Sequence, residues 1–66
     1  MFLDEFISVI NEKQMIEVVQ DDEEASLLYK GNVDDISGEI LHTEVKSVFT
    51  IESDHFGNIS MVIVVQ

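Results

Sequence analysis

The segment that decides the fold is a run of seven residues near the carboxyl terminus, Ile59-Ser60-Met61-Val62-Ile63-Val64-Val65. Every residue after Ser60 is apolar, so both faces of a strand formed here would be apolar. Such a pattern is typical of a strand that is covered on both sides. We therefore predict that Val62 and Val64, on its second face, contact either the middle of the chain or a second copy of it.

The segment that precedes this strand has the period-two pattern of a β-strand. Val45, Ser47, Phe49 and Ile51 alternate with other residues over 45–51, which predicts a strand with one further buried face. The connection, residues 53–58, contains Gly and Asn, two residue types that favour turns. The two strands are therefore predicted to pair as an antiparallel hairpin.

Another hairpin is predicted earlier in the chain. Residues 15–20 are rich in β-branched side chains, and a second apolar stretch covers residues 25–30. Four consecutive acidic residues connect them, a common loop length for a hairpin. Gly31 and Asn32 are suited to the turn that ends the second strand.

The amino-terminal segment has helical periodicity. Leu3, Phe6, Ile7 and Ile10 recur at spacings of three and four, which predicts an amphipathic helix over residues 2–12. One short helical turn is expected within residues 33–41. The predicted fold is a single α+β domain over residues 1–66, with the amino-terminal helix packed on a small antiparallel four-stranded sheet. Its order of elements is α-β-β-(short α)-β-β.

The same periodicities predict which side chains form the core. The expected members lie on the predicted inward faces of the helix and of all four strands: Phe6, Ile7, Ile10, Val18, Leu28, Phe49, Ile51, Met61 and Ile63.

The charge balance excludes several classes of partner. Asp and Glu number 14 against 3 Lys and Arg, for a formal net charge of -11. Direct binding of nucleic acid needs cationic side chains to neutralise phosphates, and anionic membranes repel such a chain for the same reason. A protein partner that is basic would be attracted.

The expected location is the cytoplasm. No apolar run approaches the roughly 18 to 20 residues that a membrane-spanning helix needs. A signal peptide carries positive charge near its amino terminus, whereas Asp4 and Glu5 stand there in this chain.

The small size predicts a homodimer. A core built from 66 residues seldom supplies more than about 3 to 5 kcal/mol, so small domains usually add disulfides, a metal or a partner subunit. The chain has no Cys, which excludes disulfides and Cys-based zinc sites. Association with a second copy is the remaining common route.

Neither of the two polar clusters predicts catalysis. Asp21, Asp22, Glu23 and Glu24 form either a solvated hairpin tip or a binding site for a basic partner. Calcium loops alternate their ligands and turn at a Gly, which these four residues do not. Ser53, Asp54 and His55 are too close in sequence to align as a hydrolytic triad. We therefore expect no enzyme activity, no catalytic residue, no metal and no cofactor.

A resemblance adds to this interpretation. The stretch Leu28-Tyr-Lys-Gly-Asn-Val-Asp-Asp-Ile36, followed by Ile40-Leu41 and Glu44-Val45-Lys46-Ser47-Val48, resembles small uncharacterised acidic proteins of phages and mobile elements of Gram-positive bacteria. It covers about a third of the chain. The resemblance implies a phage or prophage origin and carries no activity to transfer.

Two functions therefore remain open at the level of sequence. The first is a non-enzymatic protein-interaction or regulatory module, with partner-binding candidates Asp21, Asp22, Glu23, Glu24, Val62 and Val64. The second is an acidic nucleic-acid mimic that inhibits a DNA- or RNA-binding protein of the host. For the mimic, the net charge of -11 is comparable with the roughly 16 phosphates of a duplex as long as a domain of this size.

The charge balance predicts that salt stabilises the fold. Raising sodium chloride at neutral pH should raise the melting temperature, because screening weakens the repulsion among 14 carboxylates held in one small volume. Thermal melts at low and high salt measure this. A melting temperature that falls with salt would show that specific ion pairs outweigh the net repulsion.

Overall fold

The computed structural model describes residues 1–52 and 57–66 and consists mainly of one mixed sheet of four strands. The strands are β1 (Met15–Gln20), β2 (Leu27–Asn32), β3 (Val45–Glu52) and β4 (Ile59–Val65). The helical elements are short: α1 (Leu3–Ile7) and two 3-10 turns, Val33–Asp35 and Ile40–His42. The order of strands across the sheet is β2-β1-β4-β3, so β1 and β4 are central.

Both predicted hairpins are present, but the prediction of a purely antiparallel sheet is wrong. Strand β1 pairs antiparallel with β2, and β4 pairs antiparallel with β3, as expected. The hairpins join through β1 and β4, which run parallel in a register that pairs Val18 with Ile63. Strand β4 is apolar on both faces after Ser60, and a central position buries such a strand best.

The predicted fold class is also wrong in its helix. The expected helix over residues 2–12 is a single turn of five residues, in which Leu3 alone is buried. The Glu5 carboxylate accepts a hydrogen bond from the backbone N–H of Phe2 at 3.1 Å. Phe2 itself, at the N-cap position, has no side-chain acceptor for the first free N–H groups of the helix. Because α1 has only five residues, the described part of the chain has no helix layer packed on the sheet.

The helix ends early because of residue preferences that the spacing of apolar side chains does not reveal. Ser8, Val9, Ile10 and Asn11 follow it, and each of these residue types has a lower helix propensity than Ala or Leu. The Ser8 hydroxyl donates to the carbonyl oxygen of Glu5 at 2.7 Å, a local bond that competes with helix continuation. So short a helix gains little from cooperativity.

The segment between β2 and β3 covers one face of the sheet. These strands lie at opposite edges, so residues 33–44 must cross the sheet to connect them. We call this segment the crossover. It contains two 3-10 turns where one helical turn was predicted. Val33, 8% exposed, enters the core, and Ile36 and Ile40 pack against it.

The core therefore lies between the sheet and the crossover side. Its buried members are Leu3, Ile16, Val18, Val33, Ile63 and Val65, with partly buried hydrophobic residues around them. Of the predicted core, Val18 and Ile63 are buried, and Phe6, Ile7, Ile10 and Met61 are partly buried against it.

Three predicted core residues are instead exposed. Phe49 and Ile51 retain 51% and 40% exposure because they lie on the face of β3 that points away from the crossover. Leu28 retains 37% exposure. It is the extra residue of a β-bulge in edge strand β2, where Val18 pairs with Tyr29 and Val19 pairs with Leu27.

Tyr29 closes the end of β2. Its hydroxyl donates to the carbonyl oxygen of Asn32 at 2.6 Å, and its ring lies so close to Gly31 that a Cβ there would be 2.7 Å from the phenol oxygen. Desolvation raises the pKa of Tyr29 above its ordinary value, with additional contributions from the negative charges of Asp35 and Asp34. The neutral phenol is thus favoured in the folded state.

The burial difference along β4 predicts a difference between two equal substitutions. Ile63→Val should lower the free energy of unfolding by about 0.5–1.5 kcal/mol, because Ile63 is 0% exposed in the core. Ile59→Val, the matched control at 57% exposure, should change it by less than about 0.5 kcal/mol. Chemical denaturation measures both. Equal losses for the two variants would contradict this description of the core.

The environment of Tyr29 predicts a pH dependence. Its phenol should titrate at higher pH in the folded chain than in urea, because desolvation and two acids favour the neutral form. The resulting stabilisation is complete below the unfolded pKa of about 10 and is lost as pH rises through the folded pKa. Tyr29 is the one Tyr and there is no Trp, so tyrosinate absorbance reports it alone. Coincident folded and unfolded titrations would contradict the prediction.

Candidate functional site

The second face of the sheet is not covered by any helix or loop among residues 1–52 and 57–66. Side chains alternate along β1 and β4, so the core residues Val18 and Ile63 alternate with Val19 and Val64 on the other face. The crossover and α1 contribute their buried residues to the core face. Within the described ranges no element covers the other face, on which Ser60 and Val62 are buried among their neighbours and the flanking side chains are exposed.

We call this surface the open face. It consists of Met15, Glu17, Val19, Leu27, Lys30, Ser47, Phe49, Ile51, Ser60, Val62 and Val64. Two rows of cross-strand neighbours form its centre. One row runs Leu27, Val19, Val64, Ser47, and the other runs Lys30, Glu17, Val62, Phe49.

The apolar part of the open face is contiguous and accessible. Leu27 is 55% exposed, Phe49 51%, Ile51 40% and Met15 39%. Val62 lies between the flanking strands and is only 6% exposed, so its own neighbours bury it. Contiguous apolar surface of this kind on a small protein marks an interaction site more often than single exposed residues do.

The open face is also electrically neutral. Its charged residues are Glu17 and Lys30, which face each other in the register of β1 with β2. The chain as a whole carries -11. The other described acids, apart from Glu12 before β1 and Glu52 at the end of β3, belong to α1 and to the segments between strands. The charge of the molecule is therefore segregated away from this surface.

The predicted acidic group is exposed, but not all of it is free. The Asp22 carboxylate accepts hydrogen bonds from the backbone N–H groups of Glu24 at 3.1 Å and Ser26 at 3.2 Å. It also accepts one from the Ser26 hydroxyl at 3.2 Å. Asp21 forms an ion pair with Lys46. Asp22 thus stabilises the β1–β2 connection and Asp21 links it to β3, while all four acids are exposed and their binding to a basic partner stays a prediction.

Val62 and Val64 lie on the open face, as the two-faced pattern of β4 indicated. The predicted alternative that they contact the middle of the chain is wrong, because the crossover packs on the core face. Contact with a second copy stays a prediction. The exposed members of the same surface, Leu27, Phe49 and Ile51, were not predicted as binding residues. Alternation places Phe49 and Ile51 on one face, but it does not tell which face the rest of the chain covers.

The described residues offer little for chemistry. No group of three or more His, Asp or Glu side chains that could hold a metal occurs within residues 1–52 and 57–66. His42 is exposed. The residues 53–55, considered above as a triad, lie outside the described residues.

A shallow cleft lies where β1 and β4 begin. Lys13 and Lys30 line it, but each has an acidic neighbour: Lys13 forms an ion pair with Asp34 at 3.4 Å, and Lys30 faces Glu17. The cleft therefore has no net positive charge from these side chains to attract an anion. No helix in the described part of the chain is long and apolar enough to cross a membrane.

Comparisons with models of protein families, with curated proteins and with solved structures find no match to this chain. The class that the fold and the site define is thus a small sheet-rich protein with one covered and one open face.

The bonding of Asp22 predicts that it stabilises the β1–β2 connection. Asp22→Ala should lower the free energy of unfolding by about 0.5–1.5 kcal/mol, because the carboxylate accepts three hydrogen bonds. Glu23→Ala is the control, since it removes the same charge without removing a described hydrogen bond. Urea denaturation compares the two. If both variants had the same stability, the hydrogen bonds of Asp22 would be without structural importance.

Proposed function

We propose that this protein is a non-enzymatic interaction module that binds a protein partner through the open face. The observation that carries the proposal is an apolar surface that crosses the sheet, with exposed side chains on both edge strands, together with local neutrality on a chain of net charge -11. Because exposed apolar surface lowers solubility, a site of association accounts for it better than chance does.

The size of the surface supports the proposal. The two longer dimensions of the molecule are 32 and 27 Å. A broad face of these dimensions is close to the roughly 800 Å² that one partner contributes to a standard protein interface. The exposed side chains of Leu27 and Phe49 lie on opposite edge strands, so a partner that contacts both spans the sheet.

The alternative, an acidic nucleic-acid mimic, uses a different surface. Its binding groups would be the carboxylates of the connections and the crossover, such as Asp34, Asp35 and Glu39. Because these acids are separated from the open face, the two functions would use different sides of the molecule. Binding would also respond differently to added salt in the two cases. The resemblance to phage and mobile-element proteins supports a phage or prophage origin under either function.

Capture from a lysate of the encoding organism, with three forms of the protein, tests the proposal. Leu27→Glu places a charge in the open face, whereas Val9→Glu places the same charge at an 84% exposed position outside the sheet. We expect the wild type and Val9→Glu to retain the same protein partner at low and moderate salt. Leu27→Glu should lose it, because apolar contact is disrupted by a buried carboxylate.

The alternative predicts another pattern. Partners of a mimic should be basic nucleic-acid-binding proteins that dissociate as salt rises, and Leu27→Glu should still bind them. That result, or equal capture by all three forms, would overturn the assignment of the open face. Circular dichroism of each variant confirms that the sheet is intact.

A further inference from the structure

The two edges of the sheet differ in how they are protected against pairing with another strand. Edge strand β2 has a bulge at Leu28 and continues with Lys30 and Gly31, features that discourage strand addition. Edge strand β3 has its bulge at Lys46, near its beginning. The six residues 47–52 that follow contain no Pro, no Gly and no Lys, and they pair regularly with β4.

Backbone hydrogen bonds show which groups of β4 point to β3. The carbonyl oxygen of Val65 accepts from the N–H of Asp21, on the side of β1, at 2.7 Å. The N–H of Gln66 donates to the carbonyl oxygen of Glu44, on the side of β3, at 3.0 Å. Successive residues of a strand point their backbone groups to opposite sides, so the even-numbered residues of β4 bond to β3.

The outward groups of β3 follow from this register. Phe49 and Ile51 pair with even-numbered residues of β4 and therefore bond inward. Val48, Thr50 and Glu52 pair with odd-numbered residues, so their N–H and C=O groups point to the outer edge of the sheet. This edge presents unpaired backbone donors and acceptors beside exposed apolar side chains.

The amino terminus limits where this free edge begins. The N–H of Val45 donates to the carbonyl oxygen of Met1 at 2.8 Å, and that of Leu3 donates to the carbonyl oxygen of Thr43 at 2.8 Å. Phe2 forms a β-bridge with Glu44. Among residues 1–52 and 57–66, the outer side is thus occupied up to Val45 and open beyond it.

We propose that β3 pairs with β3 of a second copy, antiparallel, with Phe49 next to the two-fold axis. This register makes Val48 of one copy and Thr50 of the other a hydrogen-bonded pair, on both sides of the axis. It also places Lys46 opposite Glu52 of the second copy, twice in the dimer. The free edge is therefore complementary to itself in charge as well as in hydrogen bonding.

Other registers are less complementary. A shift of two residues toward the amino terminus brings Glu44 opposite Glu52 of the second copy, a repulsive pair, and requires the position that Met1 occupies. A shift of two residues in the other direction shortens the paired stretch within β3. The register through Phe49 uses residues 46–52, almost the whole strand.

Dimerisation of this kind extends the open face. The two sheets form one continuous sheet of eight strands, within the usual range for open sheets. The exposed rings of Phe49 from the two copies meet at its centre on the open face. Each copy carries -11, so added salt should strengthen the association by screening the repulsion.

Sedimentation equilibrium over a range of concentrations and salt tests the proposal with a substitution at Thr50. Thr50→Pro removes an outward N–H that has no partner within the sheet, so the monomer should still fold. It should weaken dimerisation by about thirtyfold or more, because two hydrogen bonds per dimer are lost. Thr50→Val, which keeps the N–H, is the matched control and should dimerise like the wild type.

A charge exchange tests the register. Lys46→Glu and Glu52→Lys should each weaken the dimer by about tenfold, because each replaces two attractive cross-strand pairs with repulsive ones. The double exchange should restore it. Lys46→Glu also removes the ion pair with Asp21. Glu52→Lys leaves that pair in place, so agreement between the two single variants identifies the contact between copies.

The possible failures are distinct from those of the proposed function. A monomer at all concentrations and salts, or a dimer unaffected by Thr50→Pro, would overturn pairing through β3. A dimer that Leu27→Glu abolishes and Thr50→Pro does not would show that copies associate through the open face. That outcome overturns the edge proposal and leaves the open face as a binding surface.

Discussion

The parallel pairing of β1 with β4 is the interaction on which the rest of the structure depends. Each hairpin is local, and an isolated two-stranded hairpin is at best marginally stable in water. The pairing joins them along the register from Ile16 with Met61 to Gln20 with Val65. It thereby creates the central part of the sheet, where Ile16 and Val65 are fully buried.

This arrangement also determines which surface is left open. With β1 and β4 central, β2 and β3 occupy opposite edges, and the crossover has to pass over one face. It brings Val33 into the core, and α1 brings Leu3. The crossover is too short to cover both faces. The path of the crossover over one face thus leaves the other face open, with its neutral pair of Glu17 and Lys30. It also leaves β3 at an exposed edge.

The local parts of this fold could be predicted from the sequence, and the non-local parts could not. The bounds of β1 and β4 agree with the predicted strands. The signals used for them, which are the alternation of apolar residues, β-branched side chains and turn residues, depend only on a few neighbouring positions. The predicted length of α1 is wrong because the helical spacing of Ile7 and Ile10 does not reflect the low helix propensity of the residues around them. Phe49 was assigned to the core because alternation identifies two faces without telling which one is covered. Of the candidate site, Val62 and Val64 were located on the correct strand face, whereas the exposed Leu27 was missed.

The sequence distance between the central strands has a consequence for synthesis of the chain. Paired residues of β1 and β4 are about 45 positions apart, so the contact order of the central pairing is high and folding is expected to be slow for so small a chain. The ribosome makes β1 early, but β4 follows every other element of the sheet. Until Val65 has left the exit tunnel, the inner edge of β1 is unpaired and the apolar side chains of Ile16 and Val18 have no core to enter. The nascent protein therefore depends on its acidic charge to stay apart from other chains during that interval.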